Sequence, residues 1–196
     1  FQEAGFVSGY INKQLPIAIE ARILENCDYP FQYGKSIDVV GNYDAEMVDK
    51  LSEFVSDTAQ FFVLHTLGNH FRYEHRYPTN FEAYQPVMGS SFSYALINES
   101  NKEKLINAYD NAILYTDYVL NKLITYVDSL NRPAVVLYIS DHGESFWDDS
   151  RKLSLHGSYQ IAKAEFHVPM LIWYSDQYKE TYPLKVDCME QNKDKW

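Results

Sequence analysis

One apolar run constrains this chain more than any other stretch. Ala134-Val-Val-Leu-Tyr-Ile139 is short enough for a buried strand, and Asp141-His142-Gly143-Glu144-Ser145 follows it at once. In front of it lies a long helical stripe, Leu105, Ile106, Tyr109, Ala112, Ile113, Val119, Leu120, Leu123 and Val127, which predicts a helix of about seven turns ended by Asn131-Arg-Pro133. Helix followed by buried strand is the grammar of an α/β sheet. A carboxylate and an imidazole at the carboxyl end of such a strand are ligands that zinc accepts, and open α/β sheets collect their ligands at that edge. A second His156-Gly157 stands a little further on.

Other segments extend the alternation. Val7 to Ile11 reads as a short strand and Ser36 to Val40 as another, joined by a loop with Pro16 and Pro30. Met47, Val48, Leu51, Phe54 and Val55 recur at helical spacing between Asp44 and Thr58, with Asp44 expected as the N-cap. Phe61-Phe-Val-Leu64 reads as a buried strand, and a long aromatic loop runs from it through Ser100. Loops of that length usually carry function. Ser100-Asn-Lys-Glu103 has the form of a capping box, and Pro169 to Tyr174 supplies a last strand. The expected architecture is a mostly parallel sheet with helices on both faces.

Composition narrows the function classes. A chain of 196 residues with 46% apolar content can bury one sizeable core, and one domain is the default expectation. Its net charge is −10, and its 17 lysines and arginines are dispersed, which argues against a nucleic-acid partner. An acidic protein that handles an anionic substrate needs a local positive source, and a bound metal supplies one. No stretch reaches the ~20 apolar residues of a membrane helix. Phe1-Gln-Glu-Ala-Gly-Phe6 reads as a helix end, a glycine stop and a strand entry, so further residues are expected upstream. Cys27 and Cys188 lie outside any metal spacing and read as bystanders, with a pairing between them left open.

Several motifs occur together and in order: Val63-Leu-His-Thr-Leu-Gly-Asn-His70, Arg76-Tyr-Pro78, Tyr109-Asp-Asn-Ala-Ile-Leu-Tyr-Thr-Asp117, Tyr138-Ile-Ser-Asp-His-Gly-Glu-Ser145, Leu155-His-Gly157 and Val168-Pro-Met170. In this order they resemble the catalytic domain of the phosphoethanolamine transferases that modify lipopolysaccharide, within the alkaline phosphatase and sulfatase superfamily. The resemblance covers residues 61–174 strongly. It covers the opening more weakly, through Ala4-Gly5-Phe6 and Asn12-Lys-Gln14.

What the resemblance implies is specific. The chain would be a partial sulfatase-like catalytic domain over residues 1–196, with one or two zinc ions. Asp141 and His142 would be zinc ligands. His70 and His156 would hold a second metal or the phosphate group and take part in catalysis. Glu144 would lie in the site near the ethanolamine amine, and Asn12 or Lys13 would meet the donor phosphate. The family's nucleophile is a threonine preceded by a ligating glutamate. Both are expected upstream of Phe1, along with a membrane region, so the 196 residues alone are expected to be inactive in transfer. The implied donor is phosphatidylethanolamine, the acceptor lipopolysaccharide, as lipid A or core, and the location the periplasmic face of the bacterial inner membrane. A sulfatase or phosphodiesterase of the same superfamily would share Asp141-His142 but release its product to water. A non-catalytic metal- or phosphate-binding remnant would keep the fold alone.

The remaining polar residues carry blander expectations. Thr66 and Ser145 stand near candidate ligands but read as structural hydroxyls. His65 reads as a core or supporting histidine, His75 and His167 as surface or structural ones, and Asp148 and Asp149 as an exposed turn. The Tyr109 to Asp117 face either lines the site or anchors a loop.

Overall fold

The computed structural model describes residues 2–34, 40–89, 94–157 and 159–194, and the chain divides into two compact units, residues 1–122 and 123–196.

The first unit is built on a parallel sheet. β1 (Val7–Asn12) pairs in parallel with β2 (Tyr29–Gln32) on one side and with β3 (Gln60–His65) on the other, giving the order β2-β1-β3. Helix α1 (Ala18–Asn26) connects the first two strands, and α2 (Ala45–Phe54) precedes the third. β1 is central, and it carries Gly9 opposite Phe62. A Cβ at Gly9 would fall 2.1 Å from the Phe62 ring, so only glycine lets that aromatic lie across the strand. β2 falls in the proline-containing stretch expected to be a loop. Pro30 is tolerated there because β2 is an edge strand among the described residues and needs no amide on its outer side. The strand expected at Ser36 to Val40 lies almost wholly outside the described residues.

Helix α2 buries Met47, Val48 and Leu51, the spacing that predicted it. Its start corrects one expectation. Asp44 holds the expected N-cap position, but its side chain makes no cap hydrogen bond. Its carboxylate turns away to accept the amides of Leu67 at 3.0 Å and Gly68 at 2.8 Å, tying the turn after β3 to the start of α2.

Helix α3 (Lys102–Ser129) spans 28 residues, and Asn131 beyond it adopts φ +51. Its buried face is Leu105, Ala108, Asn111, Ala112, Tyr115 and Val119. That stripe is rotated from the apolar one read in the sequence, and Ile113 is 44% exposed. The capping box expected at Ser100 and Glu103 is also corrected. A 3-10 turn, Glu99–Asn101, precedes α3, and the side chain of Asn98 accepts the Ser100 amide instead. The nearer, stiffer asparagine takes the Ser100 amide that the returning Glu103 side chain would have needed.

The second unit holds β4 (Val135–Ile139), a short hairpin of β5 (Ser145–Phe146) and β6 (Ser154–Leu155), the one-turn helix α4 (Lys163–Phe166), β7 (Met170–Tyr174), and then α5 (Asp176–Thr181) and α6 (Pro183–Asn192). β4 and β7 pair antiparallel, with Val135 opposite Tyr174 and Ile139 opposite Met170. This corrects the expected parallel pairing. The link between them contains a hairpin and a single helical turn, whereas a parallel return needs a crossover, usually a helix. Nor is β4 buried on both faces. Val136 is 9% exposed, whereas Leu137 and Ile139 are 60% and 57% exposed. Ser175 locks the far end of the pair: its hydroxyl donates to the Arg132 carbonyl and accepts the amides of Ala134 and Tyr178, which caps α5.

Candidate metal centre

The loop after β4 is shaped by a close approach. Gly143 donates its amide to the Glu165 carbonyl at 2.8 Å, and a Cβ at Gly143 would fall 2.1 Å from the Ala164 carbonyl oxygen. Glycine is therefore obligatory where this loop crosses α4, and the crossing turns the residues on either side of it. His142 directs Nδ1 to the Gly143 carbonyl at 3.0 Å, which leaves its Nε2 outward. Glu144, whose side chain is 3% exposed, extends to His156 and places Oε1 3.0 Å from its Nδ1.

His156 reaches the cluster from the other strand of the hairpin. It follows Leu155, which is paired with Ser145 and adopts φ +61, a left-handed conformation that branched L-residues rarely adopt. That kink swings His156 back over the loop, and its ring centroid lies 3.8 Å from that of His142 at an interplanar angle of 35°. One donor atom each from His142, Glu144 and His156 lies within 4.8 Å of the others. Two ligands held at ~2.1 Å by a tetrahedral ion are about 3.4 Å apart, so the widest of these separations would close by about 1.4 Å around a metal. Two imidazoles and one carboxylate are a donor set that zinc accepts, and their net charge of about −1 leaves the ion an electrophile.

Asp141, expected as a ligand beside His142, has a side chain 80% exposed, with Oδ1 3.9 Å from His142 Nε2. It stands at the rim of the cluster. Glu144, expected in the site as an ethanolamine contact, is one of the three residues of this donor group. Ser145 is buried and donates to Glu165 at 3.4 Å, a structural role as expected. Asp148 accepts the Phe146 amide and Asp149 binds Arg151, so this pair forms the hairpin turn. Both cysteines are free thiols.

The other expected site residues belong to the first unit. Asn12 and Lys13 end β1, level with His65 at the end of β3, on the carboxyl edge of the parallel sheet. Both are 0% exposed. Asn12 is bonded to Gln14 and Gln32, while the Lys13 ammonium donates to the Tyr43 carbonyl, lies 3.3 Å from Glu46 and sits over the Tyr33 ring. These bonds tie both side chains to their own unit. His65 pairs through Nδ1 with the Tyr10 hydroxyl at 2.7 Å, a supporting histidine as expected. Burial pushes the Tyr10 phenol up to about 12, so it stays a neutral partner. His70 sits on the loop beyond, with Nδ1 2.5 Å from the Phe71 carbonyl. Arg76, 3% exposed, donates to the carbonyls of His70 and Phe71 and fixes that turn.

Helix α3 anchors the long loop. Asn111, fully buried, accepts the Tyr84 amide at 2.8 Å and donates to its carbonyl at 3.0 Å, and Thr116 donates to Asn69 beside His70. The Tyr109 to Asp117 face is thus a loop anchor where it is bonded. Sequence reasoning passed over Glu165. Nothing in its surroundings marks it except its place three residues after Ala162, the N3 position of a short helix.

Among known proteins, residues 1–194 match the Sulfatase family model. The phosphoethanolamine transferase EptA of Salmonella typhimurium is 35% identical over 156 residues, 76% of this chain and 27% of that protein. The Kdo(2)-lipid A phosphoethanolamine 7''-transferase of Escherichia coli is 33% identical over 156 residues, 77% of this chain and 25% of that one. The chain thus spans about a quarter of the length of these curated relatives. Of the solved structures, the C-terminal periplasmic domain of EptC from Escherichia coli, in complex with zinc, superposes with a TM-score of 0.77 at 23% identity, over 93% of this chain and 52% of that one. The α/β architecture is therefore alkaline phosphatase and sulfatase-like. With its motifs in order and its fold shared, this chain belongs to the Sulfatase family.

Proposed function

We propose that the chain forms the ligand-bearing part of a zinc-dependent phosphoethanolamine transferase. In this reading the whole protein moves phosphoethanolamine from phosphatidylethanolamine to lipopolysaccharide at the periplasmic face of the inner membrane. The observation that carries the reading is the convergence of His142, Glu144 and His156 on the loops beyond β4. The similarity to lipid A phosphoethanolamine transferases supplies the substrate class.

Zinc bound there would neutralise charge on the phosphoryl oxygens and activate the nucleophile, the two demands of phosphodiester displacement. The chain's own residues do the rest. His142 offers Nε2, because Nδ1 faces the Gly143 carbonyl. Glu144 Oε1 stands 3.0 Å from His156 Nδ1, so the carboxylate and this imidazole would hold the ion together with His142. Asp141 at the rim is placed to complete the shell or to meet a cationic ethanolamine amine. His70 is proposed for the same chemistry on the resemblance of its motif.

The test is made on the intact protein in its bacterial host, by mass spectrometry of lipid A. The parent adds phosphoethanolamine, and His142→Ala and His156→Ala abolish the addition with protein levels unchanged. Retained transfer in both variants would overturn the proposal. Release of free phosphoethanolamine from phosphatidylethanolamine, without a modified acceptor, would favour a hydrolase of the same family.

A further inference from the structure

Two segments, the loop after β4 and the end of β6, must hold their places for the donor atoms to meet, and one carboxylate touches both. Glu165 is 7% exposed. Its Oε1 accepts the Ala162 amide at 3.0 Å and lies 3.4 Å from the Ser145 hydroxyl, while its Oε2 accepts the Gly157 amide at 3.1 Å. Its own carbonyl accepts the Gly143 amide at 2.8 Å. Gly143 follows His142, Ser145 follows Glu144, and Gly157 follows His156. Each donor residue thus has its next neighbour bonded to Glu165. The backbone amides of Ala162 and then Gly157 hold its carboxyl below the usual carboxylate range, so it serves them as an anion near neutrality.

We infer that Glu165 is the positioning residue of the metal centre, a single residue whose carboxylate and backbone carbonyl together set the relative placement of His142, Glu144 and His156 without itself holding the ion. This rests on the metal-centre reading above. It separates two roles that a carboxylate near a metal can play. Glu144 faces the donor group, whereas both Glu165 oxygens are turned to the backbone and to Ser145. Ala162 has no side-chain acceptor to return the bond, so Glu165 forms only half of a capping box. Its carboxylate does more than start α4, because the same group reaches Gly157.

The test measures zinc affinity by competition with a chromophoric chelator, and the cobalt(II) absorption spectrum, on the purified intact protein. It compares Glu165→Gln with the parent at a temperature where both apo-proteins are folded by circular dichroism. Glutamine keeps one acceptor oxygen and loses the second. Zinc binding is expected to weaken by roughly 10- to 100-fold, the usual effect of losing a partner behind the ligands, and the cobalt spectrum to change shape. Ala162→Pro removes one amide from the carboxylate while leaving Glu165 intact. Its local φ of −85 is near that of proline, and a smaller weakening of the same sign is expected. Glu190→Gln, on exposed α6, leaves affinity and spectrum unchanged. Zinc affinity within twofold of the parent and an unaltered cobalt spectrum in the variants that fold would overturn the inference, whatever their melting temperatures. An intact parent protein that binds no zinc would overturn the metal-centre reading and the inference with it.

Discussion

Asp44 in the first unit and Glu165 in the second are each 7% exposed, and each carboxylate accepts two backbone amides. Their acidities nevertheless move in opposite directions. Burial raises the Asp44 carboxyl, even against the Leu67 and Gly68 amides and the nearby Lys13 and Arg76. The amides of Ala162 and Gly157 lower that of Glu165. Asp44 is surrounded on all sides by its unit, so desolvation outweighs the hydrogen bonds. Glu165 lies just beneath a surface turn, so the hydrogen bonds win. The lesson concerns the use of polar groups. Asp44, Asn12, Lys13 and Arg76 bond the chain to itself, whereas His142, Glu144 and His156 present donor atoms to one another, and Glu165 joins the two patterns.

The sharpest way to break the comparison is to remove Asp44. Asp44→Ala leaves the Leu67 and Gly68 amides without their acceptor, at about 1–3 kcal/mol each, so a loss of roughly 3 kcal/mol is expected in urea unfolding. A loss below ~1 kcal/mol would show that water replaces the carboxylate and that Asp44 is not an anchor. Next in size is Gly143→Ala. Its Cβ would meet the Ala164 carbonyl at 2.1 Å, backbone against side chain, and a cost of about 2–3 kcal/mol with loss of zinc binding is expected. Normal stability and zinc uptake in that variant would mean that the loop does not cross α4 so closely.

The smallest effect is the most diagnostic, because it has a sign. The folded-state value of Glu165 is lowered, so its contribution is present above the unfolded value near 4.3 and is lost as pH falls through the folded one. The folded-state value of Asp44 is raised, so its titration contributes fully below the unfolded value near 3.9 and is lost as pH rises through the folded one. Unfolding free energies of Glu165→Gln and Asp44→Asn, each subtracted from the parent between about pH 3 and pH 7, should therefore slope in opposite directions. Parallel slopes would mean that the two carboxylates share one environment and that depth does not distinguish them.

Much of this was legible in the chain. The periodicity of Met47, Val48 and Leu51 located α2, and the stripe from Leu105 to Val119 located α3. Val7 to Ile11 and Phe61 to Leu64 marked the two paired strands of the first sheet. Asp-His-Gly after an apolar run located the loop that holds His142 and Glu144. Other features had signals that went unread: Ser175 before Asp176 is an N-cap, and Pro183 suits a helix's first turn. β2 was obscured by Pro30, since a proline reads as a loop until the strand is known to be an edge. The sequence order of His142, Glu144 and His156 does not state that a kink at Leu155 brings them together.

Local spacing and residue chemistry thus determined which segments are helices and strands, which motif holds the candidate ligands, and to which family the motif order points. These follow from short-range periodicity and from the intrinsic donors of each side chain. Tertiary structure alone decided that β4 and β7 run antiparallel, that Asp44 reaches Leu67 rather than capping its helix, and that Glu144 rather than Asp141 faces His156. It also decided the role of Glu165. A carboxylate becomes an anchor only when folding delivers amides from distant turns to its oxygens, and pairwise distance across a fold is not a property of neighbouring residues.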